Sequence, residues 1–385
     1  MKTSAGRILT THVGSLPRPA DLLDLIKARL AGGADDQGLC RARVRSAVAE
    51  AVHQQVDAGI DVPSDGEQGK SGFFVYVGER LTGFEACPDL PSTMFAAEVA
   101  AFPEYYEQYF RVAMMGGSVA PIVPLLCVGP VGYRGDEALR VDLDNLRAAL
   151  AGVACEGAFM PAVAPSGVGR NSYYPSDEAY LFAVADAMRT EYRAIVDAGF
   201  FLQVDDPFLA DVFMDPTLTD EEKRNRAALD VEAVNHALRG IPEEKVRFHT
   251  CYGINEGPRV HDAPLADMLE TILRVNAGAY SFEAANPRHE HEYHVWEALK
   301  LPDGKMIIPG VITHASNIVE HPELIAERIV RFARLVGKEN VMAGADCGFS
   351  SQPTYTPEVH PTVVWAKLRA LAEGARLASE RLRLL

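Results

Sequence analysis

The sequence predicts an α/β fold, a (β/α)8 barrel with a helical excursion, and three observations lead there. Short apolar runs alternate with amphipathic segments along all 385 residues, the pattern of parallel strands joined by helical crossovers. The His, Cys, Asp and Glu residues with chemical potential fall just past the C-terminal ends of those runs, where a parallel barrel gathers its functional groups. No internal repeat or low-complexity linker divides the chain, so residues 1–385 read as one domain, with an insertion at about 84–117. Nine candidate strands emerge where a barrel needs eight, so one is expected outside the ring.

The first strand, Thr10-Thr11-His12-Val13, runs into Gly14-Ser15-Leu16-Pro17. Gly14 lets the backbone approach a ligand, and Ser15 offers an amide and a hydroxyl to a carboxylate. Taken alone, this is a plain strand-to-helix turn. A helix around Arg43 to Asp57 presents Val44, Ala47, Val48, Ala51, Val52 and Val56 on one face and stops at Ala58-Gly59. The strand Ile60–Pro63 then delivers Ser64-Asp65-Gly66-Glu67, which by itself reads as a solvated Asp-Gly turn. The polar, aromatic stretch 84–117 leaves the barrel as a lid or a subunit contact. Ala120–Val128 is an apolar strand ending at Gly129-Pro130-Val131.

Ala158–Ala164 forms the next strand and opens into a loop whose glycines are too irregular for a phosphate-binding fingerprint. Arg170 in that loop is a candidate clamp for a carboxylate or sulfonate, although a surface arginine is the commoner outcome. After a helix from Ser176 to Asp197, Phe200–Asp205 reads as a buried strand ending in two carboxylates, Asp205 and Asp206.

The run Lys245–Cys251 ends in His249 and Cys251, which point the same way because side chains two apart on a strand share a face. A lone His-x-Cys pair is usually packing. Two later runs, Ala279–Phe282 and Val341–Asp346, are closed by Glu283 and Cys347. On neighbouring parallel strands all four would converge, and one His, two Cys and one Glu form an N/O/S set typical of zinc. Arg288 is a candidate lining residue near Glu283. His289, His291 and His294 rank as a solvated loop and helix start rather than a second metal site, because helical spacing splits them across faces. Met306–Ile312 leads to His314, His321 sits in a cap-like His-Pro step, and a last helix from Val359 to about Arg383 seals the barrel.

Composition narrows the function. With 53 acidic against 37 basic residues and a formal charge of -16, nucleic acid and anionic membranes are unlikely partners. Apolar stretches are broken well short of a membrane span, and Met1–Gly6 carries no signal-peptide core, so a cytoplasmic location is expected. Six scattered cysteines predict reduced thiols, free to hold a metal.

His249-Thr250-Cys251-Tyr252, Ser281-Phe282-Glu283 and Asp346-Cys347-Gly348, in that order, resemble the zinc-ligand motifs of the cobalamin-independent methionine synthase family. Gly14-Ser15-Leu16-Pro17 is similar to the family's Gly-Ser-Phe-Pro turn, Asp65-Gly66-Glu67 to its Gly-Glu signature, and Asp205-Asp206-Pro207 to its Gln-Ile-Asp-Glu-Pro. The resemblance spans nearly the whole chain but only the catalytic half of the longer two-barrel synthases. It implies a Zn2+ held by His249, Cys251, Glu283 and Cys347. It also implies a substrate carboxylate at Gly14 and Ser15, an ammonium at Glu67 and Asp205, and proton donation by His314.

The expected function is alkylation of a substrate thiol, activated as a zinc-bound thiolate, most simply methyl transfer to homocysteine giving methionine. The partners are then a small-molecule thiol and an alkyl or methyl donor, and a homo-oligomer stays open. Folate-using members place a tryptophan after the Gly-Pro-Val turn. Here Gly132-Tyr133-Arg134-Gly135 follows, and the chain's tryptophans are Trp296 and Trp365, so a pterin has less to stack on. One alternative is an epoxyalkane:coenzyme M transferase, which needs a basic residue such as Arg170 or Arg288 at the sulfonate. A non-catalytic zinc- or thiol-binding protein is another. A uroporphyrinogen-decarboxylase-like barrel needs no zinc, and the four ligand candidates argue against it.

Overall fold

The computed structural model describes residues 4, 6–32, 37–90, 95–114, 117–120, 122–253 and 256–383. Its strands are β1 (Leu9–Thr10), β2 (Leu81–Ala86), β3 (Leu125–Tyr133), β4 (Phe159–Val163), β5 (Arg170–Asn171), β6 (Phe201–Asp205), β7 (Val246–His249), β8 (Ala279–Phe282), β9 (Met306–Ile312) and β10 (Met342–Ala345). Seven of them form one curled sheet in the order β1-β10-β9-β8-β7-β6-β4, every pair parallel.

The remaining place in the ring belongs to residues 62–64. Single parallel bridges join Thr11 to Val62 and Ser64 to Phe159, with Val62 N donating to Thr10 O at 3.1 Å and Phe159 N to Pro63 O at 3.0 Å. This closes eight staves, as the sequence predicts. The ninth candidate, Ala120–Val128, is the one outside. It becomes β3, in a separate sheet ordered β2-β3-β5, antiparallel to β2. Apolar character alone did not place it in the barrel: Val128 is exposed, whereas every residue of β4, β7, β8 and β9 is buried, as a strand covered on both faces requires.

The excursion is wider than 84–117, since its strand arms reach from Leu81 to Tyr133. Between them lie short helices Ala96–Ala101 and Pro103–Tyr109 and one π-turn, Phe110–Met114. Tyr106 and Tyr109 are buried there, so these aromatics anchor the excursion on the body of the protein. Residues 91–94 and 115–116 of that stretch lie outside the described residues.

Helices cover the ring because their stripes are apolar on one side. Two of the long ones are capped at their starts: Ser176 accepts from Ala179 N, and Thr219 with Glu222 forms a reciprocal capping box. The ring interior holds a small cluster of Leu9, Val62, Phe159, Ala279, Met306, Ile308 and Met342, and each such side chain contributes roughly 1.5–3 kcal/mol when fully buried. Arg247 sits beside it, fully buried, 3.9 Å over the Phe159 ring and donating to Thr11 Oγ1 at 2.9 Å and His12 O at 2.7 Å. No described helix is long and apolar enough to cross a membrane.

Candidate active site

The C-terminal edge of the parallel ring brings together residues that are far apart in sequence. β7 ends on His249, with Cys251 two residues on, and Cys347 follows β10. Their ligand atoms all lie within 4.8 Å of one another, and the two sulfurs are 3.3 Å apart. A second group, Glu283 after β8, His314 after β9 and Asp346 after β10, meets the same 4.8 Å criterion. His249, Cys251 and Cys347 are thus brought together, and Glu283 stands in an adjoining group with His314 and Asp346.

The first cluster fits a soft cation. His249 is buried, and burial, the main cause, pushes its pKa down to about 3. It is neutral, the form that ligates metal. Nδ1 lies 3.0 Å from Ser281 Oγ, and Nε2 is buried with no hydrogen-bond partner among the described residues. A buried imidazole nitrogen left orphaned beside two thiols is costly unless something binds there. The Cys347 thiol is pushed well above the ordinary cysteine value, by its hydrogen bond to Cys251 and then by burial. A divalent cation would reverse that direction and satisfy all three atoms. Ser281 fixes the ring from behind, as an orienting partner for a ligating histidine should.

In the second cluster Glu283 is paired by protein groups, whereas Asp346 Oδ2 is buried with no hydrogen-bond partner among the described residues. Glu283 Oε2 accepts from Arg259 Nη1 at 2.8 Å and Asn286 Nδ2 at 2.6 Å, and Oε1 from Tyr252 N at 3.3 Å. Burial works against its ionisation, but Arg259 and His314 outweigh it and hold the carboxyl down to about 2. Asp346 differs: burial, followed by the neighbouring Glu283 charge, pushes it up to about 7, while Oδ1 accepts from Ala284 N and Ala285 N. His314, 1% exposed, stands between the two carboxylates.

A cavity opens over the thiols. Val13, Ser15, Glu67, Asp205, His249, Cys251 and Cys347 line it, together with the aromatic Phe73, Phe74, Tyr109 and Phe349. Gly14 has φ 137°, and a Cβ there would meet Pro161 Cγ at 2.6 Å and Glu67 Oε1 at 3.1 Å; only glycine lets these loops close. Ser15 is tied to the Cys347 loop, its Oγ accepting from Ser350 N at 3.3 Å. Glu67 is buried rather than solvated and takes a left-handed φ of 56°, a strained choice for a side-chain-bearing residue. Its Oε2 has no hydrogen-bond partner among the described residues, and Lys70 Nζ lies 3.8 Å away.

The two strand-end carboxylates part company. Asp205 faces the cavity and accepts from Gln203 Nε2 at 2.8 Å, and burial raises its pKa well above the usual range. Asp206 instead caps the helix Phe208–Met214, accepting from Leu209 N at 3.0 Å and Ser166 Oγ at 3.1 Å. Arg170 does not line this cavity; it lies in a separate groove with Phe95, Phe208 and Asp211. Arg288 is likewise displaced from the role its nearness suggested, since Arg259 takes the ion pair with Glu283 and Arg288 Nε donates to Arg259 O at 3.0 Å.

His289 corrects the solvated-loop expectation. It is buried, bonded to Asp262 at 2.9 Å and Glu292 at 2.8 Å, and stacked on Tyr252 at 4.2 Å. His291 is exposed and His294 pairs with Glu297 at the surface. His321 does cap a helix, its Nδ1 accepting from Glu323 N at 3.2 Å. Arg259, Ser281, Asp346 and Gln352 escape sequence reasoning. Asp346 alone carried a signal, as the residue before Cys347.

A family model described as the catalytic domain of cobalamin-independent synthases matches residues 8–100 and 165–367, leaving out 101–164, which holds part of the excursion, β3 and the ring strand β4. The methionine synthase of Sulfurisphaera tokodaii is 25% identical over 381 residues, covering 97% of this chain and 93% of that protein. That of Saccharolobus islandicus is 25% identical over 380 residues, covering 97% and 96%. Among solved structures, a B12-independent methionine synthase from a Shewanella species, in complex with selenomethionine, gives a TM-score of 0.70 at 19% identity, covering 98% of this chain and 100% of that one. At that identity the likeness is one of fold.

Proposed function

Since the chain belongs to the cobalamin-independent synthase catalytic-domain family, we propose that it is a zinc-dependent enzyme that methylates the thiol of homocysteine to give methionine. The observation that carries this reading is the orphaned His249 Nε2 beside the Cys251 and Cys347 thiols at the floor of a cavity. Zinc, when bound, withdraws charge from a substrate sulfur and keeps it deprotonated near neutral pH. His249, Cys251 and Cys347 hold the ion. Glu283 is the fourth candidate, and Arg259 competes for its carboxylate.

The remaining residues handle the amino acid. Ser15 and the adjoining loop amides receive the carboxylate, Glu67 Oε2 and Asp205 the ammonium. Fixing both groups sets the sulfur at the inner end of the cavity and spares the step the entropy of a chance encounter. His314, buried between Glu283 and Asp346, is the group placed to hand a proton to a departing carrier. A cytoplasmic enzyme acting on small molecules accords with the acidic surface.

The epoxide-opening alternative has less support. It requires a cation for the sulfonate, and no Lys or Arg is among the described residues lining the cavity. The test is Cys251→Ser, measured by metal content and by mass spectrometry of methionine formed from homocysteine. Zinc should fall from stoichiometric to trace, and turnover should drop by at least about 10³-fold. A variant that stays active without metal ends the proposal, as does wild-type protein that binds neither zinc nor homocysteine.

A further inference from the structure

Most of the buried arginines in this protein are ion-paired, and Arg18 is not. Arg80, Arg259 and Arg328 each lie within 3.1 Å of a carboxylate, the usual compensation for a charge taken out of water. Arg247, in the ring interior, and Arg18 donate to neutral oxygens instead. Arg18 is 6% exposed. Its Nη2 donates to Glu67 O at 2.7 Å and Lys70 O at 3.1 Å, and its Nη1 to Ser350 O at 3.0 Å, while Nε has no hydrogen-bond partner among the described residues. Burial pushes its pKa down to about 10, which leaves it charged at neutral pH. A cation buried on main-chain carbonyls alone costs stability, and departures of this kind collect where function requires them.

The carbonyls that Arg18 holds belong to the two loops that matter most to the site. Ser15 lies on its own loop, Glu67 on the second and Cys347 on the third. Main-chain bonds lace the three together: Leu16 N donates to Gly66 O at 3.1 Å, and Phe349 N to Ser15 O at 3.0 Å. Arg18 reaches from the first loop into both of the others. Pro17 and Pro19 bracket it in the sequence and narrow its backbone to extended conformations. A planar guanidinium fork can serve two loops at once, which the single ammonium of a lysine cannot do in the same geometry. One of its acceptors is the carbonyl of Glu67, the residue with φ 56°. Such strain persists only where the surroundings over-determine it, and Arg18 is one of those determinants. Glu67 and Asp65 are the negative charges within its electrostatic reach.

We propose that Arg18 is a positioning residue of the amino-acid site: by clamping the Glu67 and Lys70 carbonyls to the Ser350 carbonyl, it fixes the ammonium grip relative to the Cys347 loop. The site thereby selects a thiol that carries an amino group over one that does not. The inference rests on the thiol-methylating reading above and adds the device by which its substrate is discriminated. Arg18 does not line the cavity, so it acts only through Glu67. Without the fork, Glu67 relaxes toward an ordinary φ and its carboxylate turns away from the ammonium. The bonds from Leu16 and Phe349 still hold the loops, and His249, Cys251 and Cys347 keep their places.

The experiment titrates the zinc-loaded full chain calorimetrically with homocysteine and with 4-mercaptobutyrate, which has the same thiol and carboxylate but no amino group. Wild type should bind homocysteine about tenfold or more tightly than 4-mercaptobutyrate, the scale of a hydrogen bond to a buried charge. Arg18→Gln should erase most of that preference, weakening homocysteine by about tenfold. Its zinc content and its affinity for 4-mercaptobutyrate should stay as in wild type. Glu67→Gln should do the same, and the double variant should be little weaker than either single one, because both remove one interaction. Arg18→Lys keeps the charge but not the fork, should also lose the preference, and serves if Arg18→Gln does not fold. A preference that survives in the variants, equal weakening of both thiols, loss of zinc, or failure of both variants to fold overturns the positioning role while the thiol-methylating reading stands. If wild type does not prefer homocysteine, the amino-acid reading of the site fails, and this inference fails with it.

Discussion

Two clusters share one edge of the ring and are held in opposite ways. His249, Cys251 and Cys347 face each other with sulfurs in contact, and His249 Nε2 has no hydrogen-bond partner among the described residues. Glu283 and Asp346 accept from protein donors: Arg259, Asn286 and Tyr252 around Glu283, and two backbone amides on Asp346 Oδ1. The contrast teaches that a residue's position at a strand end selects it for the site, whereas its neighbours decide whether it awaits a ligand or is already satisfied. By that measure the first cluster presents ligand atoms that no donor among the described residues claims, while Glu283 in the second is already paired with a guanidinium.

The comparison can be broken at Arg259. If the second cluster is self-sufficient because of that guanidinium, Arg259→Ala leaves the Glu283 charge buried and unpaired. The protein should lose about 3–5 kcal/mol of unfolding free energy in a denaturant titration. A variant with wild-type stability would show that Glu283 is held by something else, and a metal ion would be the leading choice.

His289 sharpens the same point through pH. Burial opposes its protonation, but hydrogen bonds to Asp262 and Glu292 prevail and push its pKa up to about 9. A folded value above the unfolded one, near 6.5, gives stability that is fully present below about pH 6.5. That contribution, of order 2–3 kcal/mol, is lost as pH rises through about 9. Thermal unfolding followed from pH 6 to 10 should show the decline, and His289→Asn should flatten it. The smallest effect belongs to the exposed histidine. His291→Ala should leave zinc content unchanged and stability within about 0.5 kcal/mol, and any loss of metal would mean a site outside both clusters.

Much of this was legible in the sequence, for a physical reason. Strand ends are marked by where apolar runs stop, so His249, Cys251, Glu283, His314 and Cys347 could all be placed on one edge. What could not be read is how loops fold back. Arg259 reaches Glu283 from a loop before the helix Leu265–Ile272, and Arg288, much nearer in sequence, does not. The Asp205-Asp206 pair looked like two site carboxylates, yet the start of the following helix takes one of them. Arg170 went to another groove with its loop. Gln352 sits in no motif, and its burial without hydrogen-bond partners among the described residues is a property only the assembled structure has. The apolar run Ala120–Val128 misleads as a ring strand because hydrophobicity does not tell a barrel stave from an arm packed outside it.

The stretch 62–64 is fastened to its neighbours by isolated bridges rather than continuous ladders, so fewer strand-to-strand bonds hold it than hold the other staves. Three residues further on stands Glu67, its backbone already bent the unfavourable way. Thermal breathing concentrates where the fewest bonds must part, so this seam is where the cylinder slackens first. Any contact that spanned this seam would stiffen the wall around it, because it would add a bond where few hold the ring together.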